Sequence, residues 1–238
     1  MEKNGSRAVF DSIASRYDAV LPSHVQNYYR EKRTRVLKSL LRPGWICSVA
    51  GGTGVLEAAL QRAEMPVLLM DSSFGMCKVA KSRAIRAVVC ADAVALPVKD
   101  HCVALCYSIA AFHHIVDKDS VGKAVSEMFR VTETGGSLVI WDHNPLNPYW
   151  KVIMKNAPQD RGGTRIVPFK EFMAQIRKFR GHGTLRHWAS GWVPEFAPAR
   201  LLFLFSGIEW ILERTPGIRN YAAHNVFIFT GTDKTNHA

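Results

Sequence analysis

Residues 48–54 read Ser48-Val49-Ala50-Gly51-Gly52-Thr53-Gly54, between the apolar run 45–49 and the helix formers of 55–63. This passage from strand through glycine turn to helix constrains the fold more than any other stretch. Glycine reaches backbone angles closed to other residues, so the chain can reverse sharply, and the missing Cβ lets a ligand approach the main chain. The opening of the helix presents free N–H groups and the positive end of the helix dipole to such a ligand. An ordinary tight connection would have the same composition, so the turn alone does not separate binding from architecture.

The unit recurs in kind. Residues 67–70 form a continuous apolar run followed by Asp71-Ser72-Ser73 and a helical 76–83; residues 88–90, 103–108 and 138–141 are further apolar runs, with a helical stretch at 120–131. Runs without alternating polar residues suit strands covered on both faces. Their alternation with helices predicts an α/β, doubly wound, mostly parallel sheet whose ligands lie at the carboxyl ends of the strands. Ahead of the turn, apolar residues at helical spacing over 10–17 and on to 41 predict a helical lead-in, stopped by Arg42-Pro43-Gly44. Beyond about 144 come a Pro/Asn-rich loop, a basic helix over 169–180, a strand near 184–188 and a last strand at 226–230. No linker interrupts the chain. The expected organisation is one domain: lead-in 1–44, cofactor-binding core 45–143, and an elaborated substrate-side third, 144–238.

A hydrophobic content of 47% over 238 residues suffices for one sizeable core. No window approaches the roughly 20 apolar residues of a membrane span, and residues 1–18 are too polar for a secretory leader, so a cytoplasmic address is expected. The five cysteines, Cys47, Cys77, Cys90, Cys102 and Cys106, contain no C-x-x-C pair and read as reduced core thiols. The formal charge of +11 invites a polyanion, an acidic membrane surface or a phosphorylated substrate, with a solvated basic surface as the plain alternative.

Two acids narrow the ligand. Asp71, at the end of the second strand, can accept both hydroxyls of a ribose, as an acid does in dinucleotide-binding proteins. Asp92, at the next strand end, can take the exocyclic amino group of an adenine lying across the sheet edge, which a dinucleotide fold does not require. In series, VAGGTG, VLLMDSS, ADAVALPVKD, CYSIAAFHHIVD and RVTETGGSLVIWD resemble the class I S-adenosylmethionine-dependent methyltransferases. The resemblance is to the branch that holds the ubiquinone and menaquinone C-methyltransferases and many small-molecule enzymes.

That resemblance implies a Rossmann-like sheet of seven strands and S-adenosyl-L-methionine as cofactor. It implies that Gly52 and Gly54, in one turn with Ala50 and Gly51, pass beneath the methionine part, and that Asp71 holds the ribose. Ser72 and Met76 would flank the adenine, Asp92 and Ala93 would meet its edge, Ser108 would lie beside the sulfonium, and Tyr17 would close over the carboxylate. Two positions depart from the family pattern. Ser48 stands where an acid is usual, removing a charge that favours the cofactor's ammonium group, and Ala50 stands where the first glycine is usual.

Methyl transfer from a sulfonium is an in-line displacement, so positioning matters most and a base is needed only for a protonated nucleophile. The candidates are His113 and His114 after the fourth strand, and Asp142 and His143 after the fifth; each could instead cap a helix or hold a turn. No metal is expected, because no His/Asp/Glu set has ligand spacing on one element. Residues 200–212, RLLFLFSGIEWIL, are apolar almost all round. They read as a buried core helix, a lid over an apolar substrate, or a membrane-surface anchor beside Arg214 and Arg219. The same third is rich in cations, namely Lys151, Lys155, Arg161, Arg165, Lys170, Arg177, Lys178, Arg180, Arg186 and Arg200, which suits a phosphate or diphosphate as well as a solvated face. The expectation is an enzyme methylating carbon or oxygen of a small, largely apolar molecule of isoprenoid, lipid-like or natural-product type, with or without a phosphate. The alternatives are an RNA methyltransferase, for which no RNA-binding module or base-methylation signature is visible, and a non-catalytic binder of the same fold.

Overall fold

The continuous apolar runs become the central strands of one sheet in the computed structural model, which describes residues 3–61, 66–154, 159–160 and 163–232. Parallel strands β1 (Trp45–Val49), β2 (Val67–Asp71), β3 (Ala87–Cys90), β4 (Val103–Ile109) and β5 (Thr132–His143) are joined by the antiparallel β7 (His224–Gly231), which pairs in turn with β6 (Gly183–Ser190). The order is β3-β2-β1-β4-β5-β7-β6. It is a seven-stranded, doubly wound, mostly parallel sheet. The order reverses direction between β1 and β4, so the connections leaving those two strands part and open a crevice at their carboxyl ends.

Local chemistry sets the helices. In α4 (Phe74–Ser82) the Ser73 hydroxyl caps the first turn by accepting from Met76 N–H at 3.1 Å, and in α5 (Lys118–Val131) Asp117 accepts from Ser120 N–H at 2.8 Å. The lead-in is interrupted rather than continuous: α1 (Lys3–Ile13) and a 3-10 turn (Ala14–Ala19) precede α2 (Ser23–Lys38). Pro22 explains the break, since the residue before a proline is pushed out of helical conformation. Asp11 fastens α1 across the start of α4, where its Oδ1 accepts from Ser73 Oγ at 2.6 Å and Gly75 N–H at 2.8 Å. Helix α3 (Val55–Gln61) follows β1 and packs with α2 on one face of the sheet, while α5 and, after the short α6 (Tyr149–Ile153), α7 (Phe169–Ile176) cover the other.

Several expectations are corrected. The basic helix of 169–180 is α-helical only to Ile176 and tightens into a 3-10 segment over Arg177–His182. Cys90 and Cys102 are exposed thiols, whereas Cys47, Cys77 and Cys106 are buried. The core-helix reading of 200–212 fails: in α8 (Leu202–Leu212) the buried residue is Glu209, while Phe203 is 75% and Trp210 59% exposed. Among the described residues, no helix is long and apolar enough to cross a membrane.

Candidate active site

The glycine turn is shaped by what a Cβ would meet. At Gly52, with φ +60°, a Cβ would find nothing within 4 Å, so this residue faces open space. At Gly54 it would lie 2.2 Å from Ile85 Cδ1, so Gly54 serves helix-to-sheet packing and does not line the cavity as the resemblance implied. Ala50 takes a left-handed φ of +56°, which costs a residue with a Cβ about 1–2 kcal/mol. The turn offers fewer free donors than its composition suggests. Gly51 N–H is spent on Met70 O at 3.0 Å, Gly54 N–H on Gly51 O at 3.2 Å, and Gly52 N–H on Asp71 Oδ2 at 2.8 Å. The turn therefore supplies shape and close approach more than hydrogen bonds.

Beside it lies a cavity of about 730 Å³, within the range of small-molecule sites. Tyr17, Ala50, Gly51, Gly52, Asp71, Ser72, Met76, Asp92, Ala93 and Ser108 line one half, and His113, His114 and His143 line the other. Asp71 also accepts from Ser73 N–H at 2.8 Å; burial pushes its pKa up, and the two backbone donors pull it back. Tyr17 is held over the turn because its neighbour Asp18 accepts from Thr53 Oγ at 2.6 Å and pairs with Arg83. Burial pushes the Tyr17 phenol up to about 12, so it stays a neutral donor.

Glu57 and Arg33 also line the cavity, and the sequence did not single them out. Glu57, on α3, is 2% exposed; its Oε1 accepts from Ser48 Oγ at 2.5 Å and Tyr107 OH at 2.7 Å. Burial raises the Glu57 carboxyl above the usual carboxylate range, and the two hydroxyls oppose that rise. Position 48 itself lacks an acid, but the serine there is hydrogen-bonded to one nine residues on. Arg33, on α2, also lines the cavity, 5.7 Å from the Tyr29 ring and 6.0 Å from the Trp141 ring, with a buried Nε lacking a partner. Helical position put Arg33 inside the site, but no motif marks it.

In the other half, Asp142 Oδ1 accepts from His143 N–H and from His113 Nδ1, each at 2.7 Å. A carboxylate can only accept, so Nδ1 of His113 is the donor, and in the neutral ring Nε2 carries the lone pair. His143 is sandwiched between His113, at 3.8 Å, and Trp150, at 3.6 Å. Burial holds His114, His143 and His224 well below the usual histidine range, hence neutral. His114 Nδ1, His143 Nδ1, Asp142 Oδ2 and Asp160 Oδ1 are buried without partners, a density of unmet polar atoms that points to a ligand.

Two sets bring ligand-capable atoms within 4.8 Å: His113, His114 and Asp160, and His113, Asp142 and His143. Their members come from separate segments, which spacing along one element could not show. In the second set the stacked rings of His113 and His143 cannot both aim in-plane lone pairs at one ion; the first set has no such conflict.

Among the described residues, none of the C-terminal cations lines this cavity; Arg7, Arg30 and Arg33 do. Arg165 is engaged by Glu171 in two bonds of 2.8 Å. Lys155 and Arg161 lie outside the described residues, as do the side chains of Lys151 and Arg180.

The family described as "Methyltransferase domain" matches residues 47–140. The demethylmenaquinone methyltransferase of Thermobifida fusca is 32% identical over 155 residues, 59% of this chain and 63% of that enzyme. The chain therefore spans less than two thirds of that relative. Its counterpart from Renibacterium salmoninarum is 28% identical over 198 residues, covering 78% of this chain and 82% of that one. A Thermotoga maritima structure described as a SAM-dependent methyltransferase, possible histamine N-methyltransferase, superposes with a TM-score of 0.68 at 18% identity, covering 94% of this chain and 99% of that chain.

Proposed function

We propose that this chain, a member of the class I S-adenosylmethionine-dependent methyltransferases, transfers the methyl group of S-adenosyl-L-methionine to carbon or oxygen of a small, largely apolar acceptor. One observation carries the reading: a single cavity joins the Gly52 and Asp71 side to the buried His113–Asp142 pair. The open space at Gly52 is where a side chain is missing and a ligand fits. Asp71 would hold the ribose hydroxyls, Asp92 the adenine edge and Tyr17 the carboxylate end. Glu57 would take the ammonium group in place of an acid at position 48, and Arg33 the nearby negative charge. The cofactor supplies an electrophilic methyl group.

Residues 45–143 would hold the cofactor and parts of 144–238 would wall the acceptor, the whole acting as one domain in the cytoplasm. His113 Nε2 would remove the acceptor's proton, with Asp142 fixing the tautomer and stabilising the imidazolium. Trp150 and His143, stacked at the cavity wall, would help to exclude water. We read the transfer as metal-free, since displacement at a sulfonium needs no Lewis acid. The relatives named for demethylmenaquinone support a lipid-like or quinone acceptor over RNA, and the cations Arg7, Arg30 and Arg33 leave room for an anionic group on it.

Calorimetry with S-adenosylhomocysteine tests the reading. Binding that is weakened by Asp71→Ala supports it; no heat at millimolar ligand overturns it.

A further inference from the structure

Helix α8 is folded inside out. Its one acid near the middle, Glu209, is buried and accepts from Trp192 N–H at 2.6 Å, from Tyr28 OH, and from Lys32, whose Nζ lies 3.1 Å away. That inward network fixes which face turns out. Phe203 and Ile211, 75% and 57% exposed, stand with Leu204, Ile208 and Trp210 on the outer surface, and Phe196, 72% exposed, extends it. An apolar surface of this extent on a soluble face marks a contact site.

The charges around it identify what it contacts. Between residues 196 and 221 the only acids are Glu209 and Glu213, and both are tied inward to Lys32. Within that segment the exposed charges are Arg200, Arg214 and Arg219, with the Arg214 guanidinium 4.1 Å above the Trp210 ring; on the adjoining α2 Glu31 is exposed beside Arg30, Arg35 and the Lys32 pair. An apolar helix face rimmed by cations and interfacial aromatics suits the headgroup and upper acyl region of an anionic bilayer. A two-fold pairing of the same patch would set these arginines against each other, which disfavours a second copy. Glu195, which lines the cavity, directly precedes exposed Phe196, and its neighbours Val193 and Ala197 pack with Leu202 and Phe205 at the start of α8, so α8 lies next to the cavity's wall.

We propose that α8 and its flanks dock this protein on an anionic membrane surface, with Phe203, Trp210 and Ile211 inserted among the lipids and Arg200, Arg214 and Arg219 on the headgroups. The contact brings the cavity wall at Glu195 to the bilayer, where an apolar acceptor would reside. Docking needs neither cofactor nor methyl transfer, so its test is independent of the catalytic reading.

The full chain is sedimented at low salt with vesicles of phosphatidylcholine, alone or mixed with phosphatidylglycerol. The expected result is co-sedimentation with the mixed vesicles, weakened by salt, and reduced about tenfold or more by Phe203→Ser with Ile211→Ser. A control variant, Phe74→Ser, removes an equally exposed aromatic ring elsewhere and should change nothing. Unchanged thermal melting shows that each variant is folded; should the double variant melt early, Arg200→Gln with Arg219→Gln provides the same test on the charges. Failure to bind anionic vesicles overturns the proposal. So does undiminished binding by the folded variants, or a dimer that both apolar substitutions dissociate.

Discussion

Replacing Glu57 by Gln should separate the charge at the cofactor's amino end from everything else the residue does. The Gln carbonyl can still accept from Ser48 Oγ and Tyr107 OH, which now reach Glu57 at 2.5 and 2.7 Å, so the buried network keeps its shape. What disappears is the negative charge facing an ammonium group, and hydrogen bonds to charged partners contribute about 1.5–3 kcal/mol. At about 1.4 kcal/mol per tenfold, affinity for S-adenosylhomocysteine should fall about 10- to 150-fold. 5′-Methylthioadenosine, which lacks the amino-acid end, should bind the two proteins alike. Stability should move the other way. Burial raises the folded pKa of Glu57, so its charge destabilises the free protein increasingly as pH rises from the unfolded value toward the folded one. Gln carries no such penalty, and the variant's Tm should match or exceed the parent's at pH 7.5. Calorimetry at that pH with both ligands is the assay. Equal losses for both ligands, or no loss for either, would refute the assignment. Ser48→Asp added to Glu57→Gln should recover part of the affinity.

Other consequences can be checked separately. Gly52→Ala should reduce cofactor binding with a modest strain cost of about 1 kcal/mol, because its Cβ enters only the cavity, whereas Gly54→Ala should lower Tm more, because at φ +77° its Cβ meets buried Ile85, Ala80 and Leu69 together. His113→Ala should lower kcat about 10²- to 10⁴-fold while leaving S-adenosylhomocysteine affinity intact, and Asp142→Asn should follow it in direction; unchanged turnover in both would remove the base from the mechanism. His224 has a folded pKa depressed by burial, so the stability of its neutral form is present above the unfolded value near 6.5 and lost as pH falls toward the folded one. The unfolding free-energy difference between parent and His224→Asn, followed by denaturant or thermal melts, should therefore shift in the variant's favour below pH 6.5, by at most about 1.4 kcal/mol per pH unit. A pH-independent difference would contradict the neutral, buried ring.

What could be read from sequence was whatever depends on neighbours in the chain. Strand runs, the glycine turn and the acids ending β2 and β3 are local patterns, and all of them meet at one sheet edge as the crevice rule requires. The contacts that complete the site are not local. Glu57 reaches Ser48 because the first turn of α3 carries it back over β1; Arg33 arrives from a helix before the sheet; and Asp142, in β5, meets His113, in the 3-10 turn after β4, 29 residues away in sequence. The same reasoning explains the error at 200–212. Composition says that an apolar helix needs cover, but not which side supplies it, and one buried Glu209 held by Tyr28, Lys32 and Trp192 turned the apolar residues outward. Burying an acid is costly unless its partners are already in place. Such an arrangement persists when the outward face gains from contact elsewhere, and the departures at Ser48 and in α8 share that logic: a residue that looks wrong by local pattern is matched by a partner distant in sequence.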